Sequence, residues 1–104
     1  MKQPETILKE KVLADLKTLP NTWHVKVQQT TIRGTPDILA CVNGFFVALE
    51  LKRDNAQRPD KLQDYQLVKI REAGGASFIV HPENWSDIFG YLKEYLHHRL
   101  KTIS

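Results

Sequence analysis

The tightest constraint in this 104-residue chain lies between residues 37 and 52, where two dense apolar runs, Asp37 to Val42 and Phe45 to Lys52, are separated by Asn43-Gly44. An Asn-Gly pair in that setting is the strongest short-range signal for a two-residue hairpin turn, because both turn residues must adopt positive φ. Pairing then counts outward from Val42 opposite Phe45, which brings Asp37 opposite Glu50. Directly opposed residues have Cβ atoms about 4.5–5.5 Å apart, so two carboxylates are expected side by side on one face. Lys52 falls on the same face by strand alternation. Ile38, Ala40, Val42, Phe45, Val47, Leu49 and Leu51 share one face, and Leu39, Cys41, Phe46 and Ala48 the other. Both faces are thus largely apolar, which predicts a central hairpin covered on both sides, with Cys41 a small buried core residue.

Opposed carboxylates repel, and with room for water they are what an oxygen-preferring Mg²⁺ or Mn²⁺ takes as ligands. The alternative is a purely structural trio in which Lys52 neutralises the pair. Carboxylates on the inner face of an apolar hairpin are expensive to keep for structure alone, which favours a functional role.

Around the hairpin, Leu8, Val12, Leu16 and Leu19 recur at three- and four-residue spacing and predict an amphipathic helix from Glu5 to Leu19, ended by Pro20-Asn21. Trp23 to Gln28 alternates large apolar residues with His24 and Lys26, as an edge strand with one exposed face would. The polar stretch 29 to 36, with Gly34 and Pro36, reads as a loop that approaches something closely. Residues 53 to 60 read as a second loop, followed by a helix from about Lys61 to Ala73 that Gly74-Gly75 caps. A short strand, Ser77 to Val80, leads to a last helix near Trp85 to Leu100. The order is α-β-β-β-α-β-α, in one domain spanning residues 1–104.

A single cysteine excludes an internal disulfide framework, and no apolar stretch approaches the ~20 residues of a membrane span. With no apolar signal region in MKQPETILKEK, a cytoplasmic location is expected. His24, His81, His97 and His98 show no metal-ligand spacing; His97-His98 is expected on a helix surface. The net charge of +3 is too small to establish a polyanionic partner by itself. Lys52, Arg53, Arg58, Lys61, Lys69 and Arg71 nonetheless crowd into residues 52 to 71, where they suit either phosphate contacts or a solvated helix face.

Gly34-Thr35-Pro36-Asp37, then Glu50-Leu51-Lys52 thirteen residues after Asp37, then Gln63 ahead of a helix ending Ala73-Gly74-Gly75, resembles the PD-(D/E)XK nuclease superfamily. More narrowly it resembles the VRR-NUC family, particularly its compact stand-alone versions found in phages. The resemblance implies a restriction-endonuclease-like αβββαβ core with a mixed central sheet flanked by helices, the last helix being an addition. It implies Mg²⁺ or Mn²⁺ held by Asp37, Glu50 and the Leu51 carbonyl, with Lys52 orienting or helping to deprotonate the attacking water. It also implies a glutamine near the metal on the next helix, Gln63 or, one turn on, Gln66. A glutamate is expected on the first helix, where Glu5 shares the inward stripe and Glu10 lies about 140° away.

The function implied is a divalent-metal-dependent endonuclease that hydrolyses DNA and selects junctions, flaps or branches, in a bacterial cell or phage-infected host. Lys26, Arg33, Arg53, Arg58 and Lys61 are candidate DNA contacts. One site per chain meeting one strand suggests a homodimer, and no small-molecule cofactor or membrane is called for. The rival readings are a catalytically idle nucleic-acid-binding module with the same fold, and a small partner-binding protein lacking both metal uptake and nucleic-acid affinity.

Overall fold

The structure, a computed structural model, describes residues 1–28 and 31–103, without the side chains of residues 97–103. The surface placement expected for His97 and His98 therefore lies outside the described residues, as do Gln29 and Thr30 of the loop. The elements are α1 (Pro4–Leu16), β1 (Thr22–Lys26), β2 (Ile38–Val42), β3 (Phe45–Leu51), α2 (Lys61–Glu72), β4 (Ala76–Val80) and α3 (Trp85–Ile103), in the expected order. The sheet runs β1-β2-β3-β4. β1, β2 and β3 are antiparallel neighbours, and β4 joins β3 in parallel. Asn43 and Gly44 both take positive φ, 49° and 91°, as a type I′ turn requires. The register runs from Val42 opposite Phe45 to Ile38 opposite Leu49, so the hairpin forms as its turn residues specify.

One face of the sheet carries the core. Ile38, Ala40, Val42, Val47, Leu49, Leu51 and Val80 pack against Leu8, Val12 and Leu16 of α1 and Trp85, Ile88 and Leu92 of α3. α1 begins with Pro4 in its first turn, where a missing N–H costs nothing, and stops at Leu16 rather than Leu19. Thr18 and Leu19 instead bond back to Asp15 and Leu16 in a tighter turn that still tucks Leu19 into the core. The Trp85 indole N–H donates to Asp15 Oδ2 at 2.8 Å and ties α3 to α1.

The other face is covered only in part, which corrects the expectation of a hairpin enclosed on both sides. α2 lies over β3 and β4, placing Leu67 in the interior, where its carbonyl accepts from the buried Ser77 hydroxyl. Across β1 and β2 this cover stops. Trp23 (63% exposed), Cys41 and Phe46 (44% exposed) form one exposed row across three strands. Alternation in β1 is thus inverted from the expected sense: Trp23 and Val25 face outward, and His24 is half-buried in register with Ala40 on the core face. Among the described residues, β1 lies at the sheet edge beyond the cover of α2, so its outward apolar residues stay exposed.

Candidate active site

Asp37 immediately precedes β2, and its carbonyl accepts from Val27 N–H, extending the β1–β2 ladder by one rung. Its carboxylate reaches across the hairpin, where Oδ2 accepts from the Leu51 backbone N–H at 2.7 Å. Glu50 lies on the inner strand β3 with β4 on its far side, in register with Ile79, and is 2% exposed. Lys52 Nζ stands 3.4 Å from Glu50 Oε2 and donates to Gln63 Oε1 at 3.1 Å, its side chain only 15% exposed. The two acids and the lysine expected to share one end of the hairpin are therefore gathered there.

The electrostatics follow from that burial. Desolvation raises the Glu50 pKa from 4.5 to about 7, the negative charge of Asp37 adds to the rise, Lys52 opposes it, and Glu5 contributes a smaller upward push. Glu5 reaches this region from the first turn of α1, lining with Thr6, Lys9, Asp37 and Leu51 a polar cavity of about 250 Å³. Glu10 is turned to solvent and pairs with Lys2 at 2.8 Å.

Gln63 sits in the first turn of α2, in a capping box with Asp60. Asp60 Oδ1 accepts from Gln63 N–H at 2.8 Å, and Gln63 Oε1 accepts from Asp60 N–H at 3.0 Å. Gln66 points elsewhere, its amide donating to the Arg33 carbonyl at 3.3 Å. Of the two glutamines, Gln63 is the one that touches the lysine. Gly34 does approach something closely: at φ +80°, a Cβ there would lie 2.5 Å from the Leu62 carbonyl carbon and 2.8 Å from Gln63 N. The loop that delivers Asp37 is thereby seated on the first turn of α2.

The candidate DNA contacts are all exposed. Lys26 ends β1, Arg33 lies in the loop before Asp37, Arg53 stands 3.6 Å from Asp54, and Arg58 and Lys61 line a shallow depression beside Asp60 and Asp64. Two residues at the site escaped the sequence reading. Lys9 was legible as the i+4 neighbour of Glu5 on one helix face, and Asp60 as the first residue of the Asp-x-x-Gln capping signature.

Among the described residues, no three His, Cys, Asp or Glu side chains gather to enclose an ion. The donor set is instead two carboxylates, Asp37 beside a polar cavity and Glu50 buried next to it with Lys52 at 3.4 Å. That fits an ion which accepts few protein oxygens and keeps much of its water, as Mg²⁺ does, better than one needing a full protein cage.

No protein-family model matches the chain, nor does any curated protein. A solved structure described as a VRR_NUC domain superposes with a TM-score of 0.70 at 20% identity, covering 93% of this chain and 98% of that one. The chain has the VRR-NUC fold. Its α/β architecture of a mixed four-stranded sheet with three helices is the restriction-endonuclease-like arrangement expected from the motifs. No helix among the described residues is long and apolar enough to cross a membrane.

Proposed function

We propose that residues 1–104 form a single nuclease domain that hydrolyses DNA phosphodiester bonds with Mg²⁺ or Mn²⁺, selecting branched substrates such as junctions or flaps. The observation that carries this reading is the convergence of Asp37, Glu50 and Lys52 at one end of the central hairpin of a VRR-NUC fold. Asp37, Glu50 and the Leu51 carbonyl would hold the ion. Bound there, the ion would supply positive charge toward the developing charge on the phosphate and favour deprotonation of the attacking water.

This chain's own groups do the rest. The Asp37 carboxylate is fixed by the Leu51 N–H, so its orientation is set before any ligand arrives. Lys52, held between Glu50 and Gln63, presents a positive charge that orients the attacking water and offsets charge on the transferring phosphorus centre. Glu5 and Lys9 line the polar cavity together with Asp37, where Lys9 would donate to a phosphate oxygen and Glu5 would accept from a water. The exposed cations Lys26, Arg33, Arg53, Arg58 and Lys61 supply phosphate contacts along the approach. Because one chain presents one site, cutting two strands of a junction calls for two copies, and the working form is a homodimer in the cytoplasm.

Calorimetric titration with Mn²⁺, followed by a gel assay on junction, flap, single-stranded and linear duplex DNA, tests the proposal. Metal uptake with cleavage of branched DNA is the expected result. DNA binding without cleavage in either metal would make the chain an idle binding module, and neither metal nor DNA binding would remove nucleic acid from its function.

A further inference from the structure

Lys52 carries a flexible four-carbon stem, and a lysine that must present its charge at one point needs an anchor. Two acceptors hold it: Glu50 Oε2 at 3.4 Å and Gln63 Oε1 at 3.1 Å. Glu50 is also a proposed metal ligand, so an oxygen committed to an ion is less available to the ammonium. Gln63 is then the anchor that remains.

We propose that Asp60 is a positioning residue for Lys52, acting through Gln63. This rests on the nuclease reading for its catalytic consequence, though not for its geometry. Gln63 Oε1 accepts from Lys52 Nζ and from Asp60 N–H at once, so flipping or swinging the amide forfeits two hydrogen bonds. The Asp60 carboxylate clamps the Gln63 backbone from the other direction, at 2.8 Å, and keeps the first turn of α2 wound. Gly34 packs against the backbone of that same turn at Leu62 and Gln63, which seats the turn against the loop before Asp37. The neighbouring glutamines are committed elsewhere: Gln57 Oε1 accepts from Arg53 N–H, and Gln66 donates to the Arg33 carbonyl. A capping box, ordinarily a device for starting a helix, here has its glutamine carbonyl shared with the site lysine.

If the box served α2 alone, removing Asp60 would lower the melting temperature and leave Lys52 undisturbed in the folded protein. The two roles separate in a labelling experiment on metal-free protein. Wild type, Asp60→Ala, Asp60→Asn and Gln63→Ala are treated with trace N-hydroxysuccinimide acetate well below their melting temperatures. Modification of Lys52 is then read by mass spectrometry against that of the exposed Lys17.

Losing an N-cap acceptor raises the frayed population of a first helical turn by roughly fivefold, so Lys52 labelling in Asp60→Ala should rise by about that factor. It should rise further in Gln63→Ala. Asn is as good an N-cap as Asp, so Asp60→Asn should stay within about twofold of wild type. In the cleavage assay kcat should fall in parallel in Asp60→Ala with KM unchanged, and Asp60→Asn should restore it. Wild-type labelling of Lys52 in Asp60→Ala, at whatever melting temperature, overturns the inference. A wild-type protein inert on every substrate in both metals overturns the nuclease reading and the catalytic half of the inference with it, while the labelling independently decides the positioning half.

Discussion

Replacing Glu50 by Gln isolates the cost of keeping a carboxyl group in the interior of the sheet. With its pKa raised from 4.5 to about 7, chiefly by burial and then by Asp37, the folded protein holds the Glu50 proton more tightly than the unfolded chain does. Between those two values the native state binds more protons, so the Glu50 contribution to stability is full below pH 4.5 and is lost as pH rises through 7. A gap of about two and a half pH units, at about 1.4 kcal/mol each, corresponds to about 3 kcal/mol. Gln has nearly the same shape and no proton to lose in this range. In metal-free protein the stability of Glu50→Gln relative to wild type should therefore increase by about 3 kcal/mol from pH 4 to pH 8. For a chain of this size that difference amounts to 10 °C or more in Tm.

Urea or thermal melts of both proteins in EDTA, at half-unit steps from pH 4 to 8.5, measure it. The other acids titrate in both proteins and largely cancel in the difference. Parallel stability curves would refute the reasoning, because they would mean that Glu50 titrates in the native state as it does in the unfolded chain. At pH 8, adding Mn²⁺ should raise the wild-type Tm well above any effect on Glu50→Gln, since only wild type offers the second carboxylate.

Asp37→Ala should abolish cleavage and also destabilise the apo protein by about 1–2 kcal/mol, because the Leu51 N–H loses its acceptor; Asp37→Asn should keep the stability and still lose cleavage, as denaturant melts beside a gel assay will show. Gly34→Ala should lower Tm by more than any other loop substitution, since its Cβ would meet the Leu62 backbone at 2.5 Å in a φ region that disfavours side chains, and a Tm within 2 °C of wild type would refute the close approach. Glu5→Gln should cut the cleavage rate while Glu10→Gln leaves it near wild type, because only Glu5 lines the cavity with Asp37; the reverse order in the same assay would misplace the cavity. DNA affinity measured by anisotropy should fall at least tenfold between 50 and 200 mM salt if several of the exposed cations meet phosphates.

The sequence made the hairpin legible because its determinants are local. Asn43-Gly44 sets the turn type and the turn sets the register, so the Asp37, Glu50 and Lys52 alignment follows by counting. The same locality made the box legible in principle, from Asp60 and Gln63 three residues apart. What could not be read locally is which side of a strand receives cover. The apolar residues of β1 were expected to face inward, yet α2 stops over β3 and β4, leaving Trp23, Cys41 and Phe46 in the open. Helix placement over a sheet depends on the summed packing of distant segments, and alternation alone carries no information about it. The partner of Gly34 was hidden for the same reason: positive φ and a loop sequence announce a close approach, but not that the neighbour is the first turn of α2.

Positioning the site through register gives it an unusual dependence on a turn at the opposite end of the hairpin. A slip of one residue at Asn43-Gly44 would carry Asp37 to the other face of β2 and put Ile38 opposite Glu50. It would also move Ile38, Ala40 and Val42 out of a core where all three are almost completely buried. Exposing three such side chains costs several kcal/mol at about 25 cal/mol per Å². The apolar face of the hairpin thus enforces the alignment of the polar residues at its end, and the repulsion between Asp37 and Glu50 cannot relax by sliding one strand past the other. Burial, and after it the charge of Asp37, raises the Glu50 pKa to about 7, so on the proposed reading a cation arriving between the two acids would displace a proton from Glu50 near neutral pH.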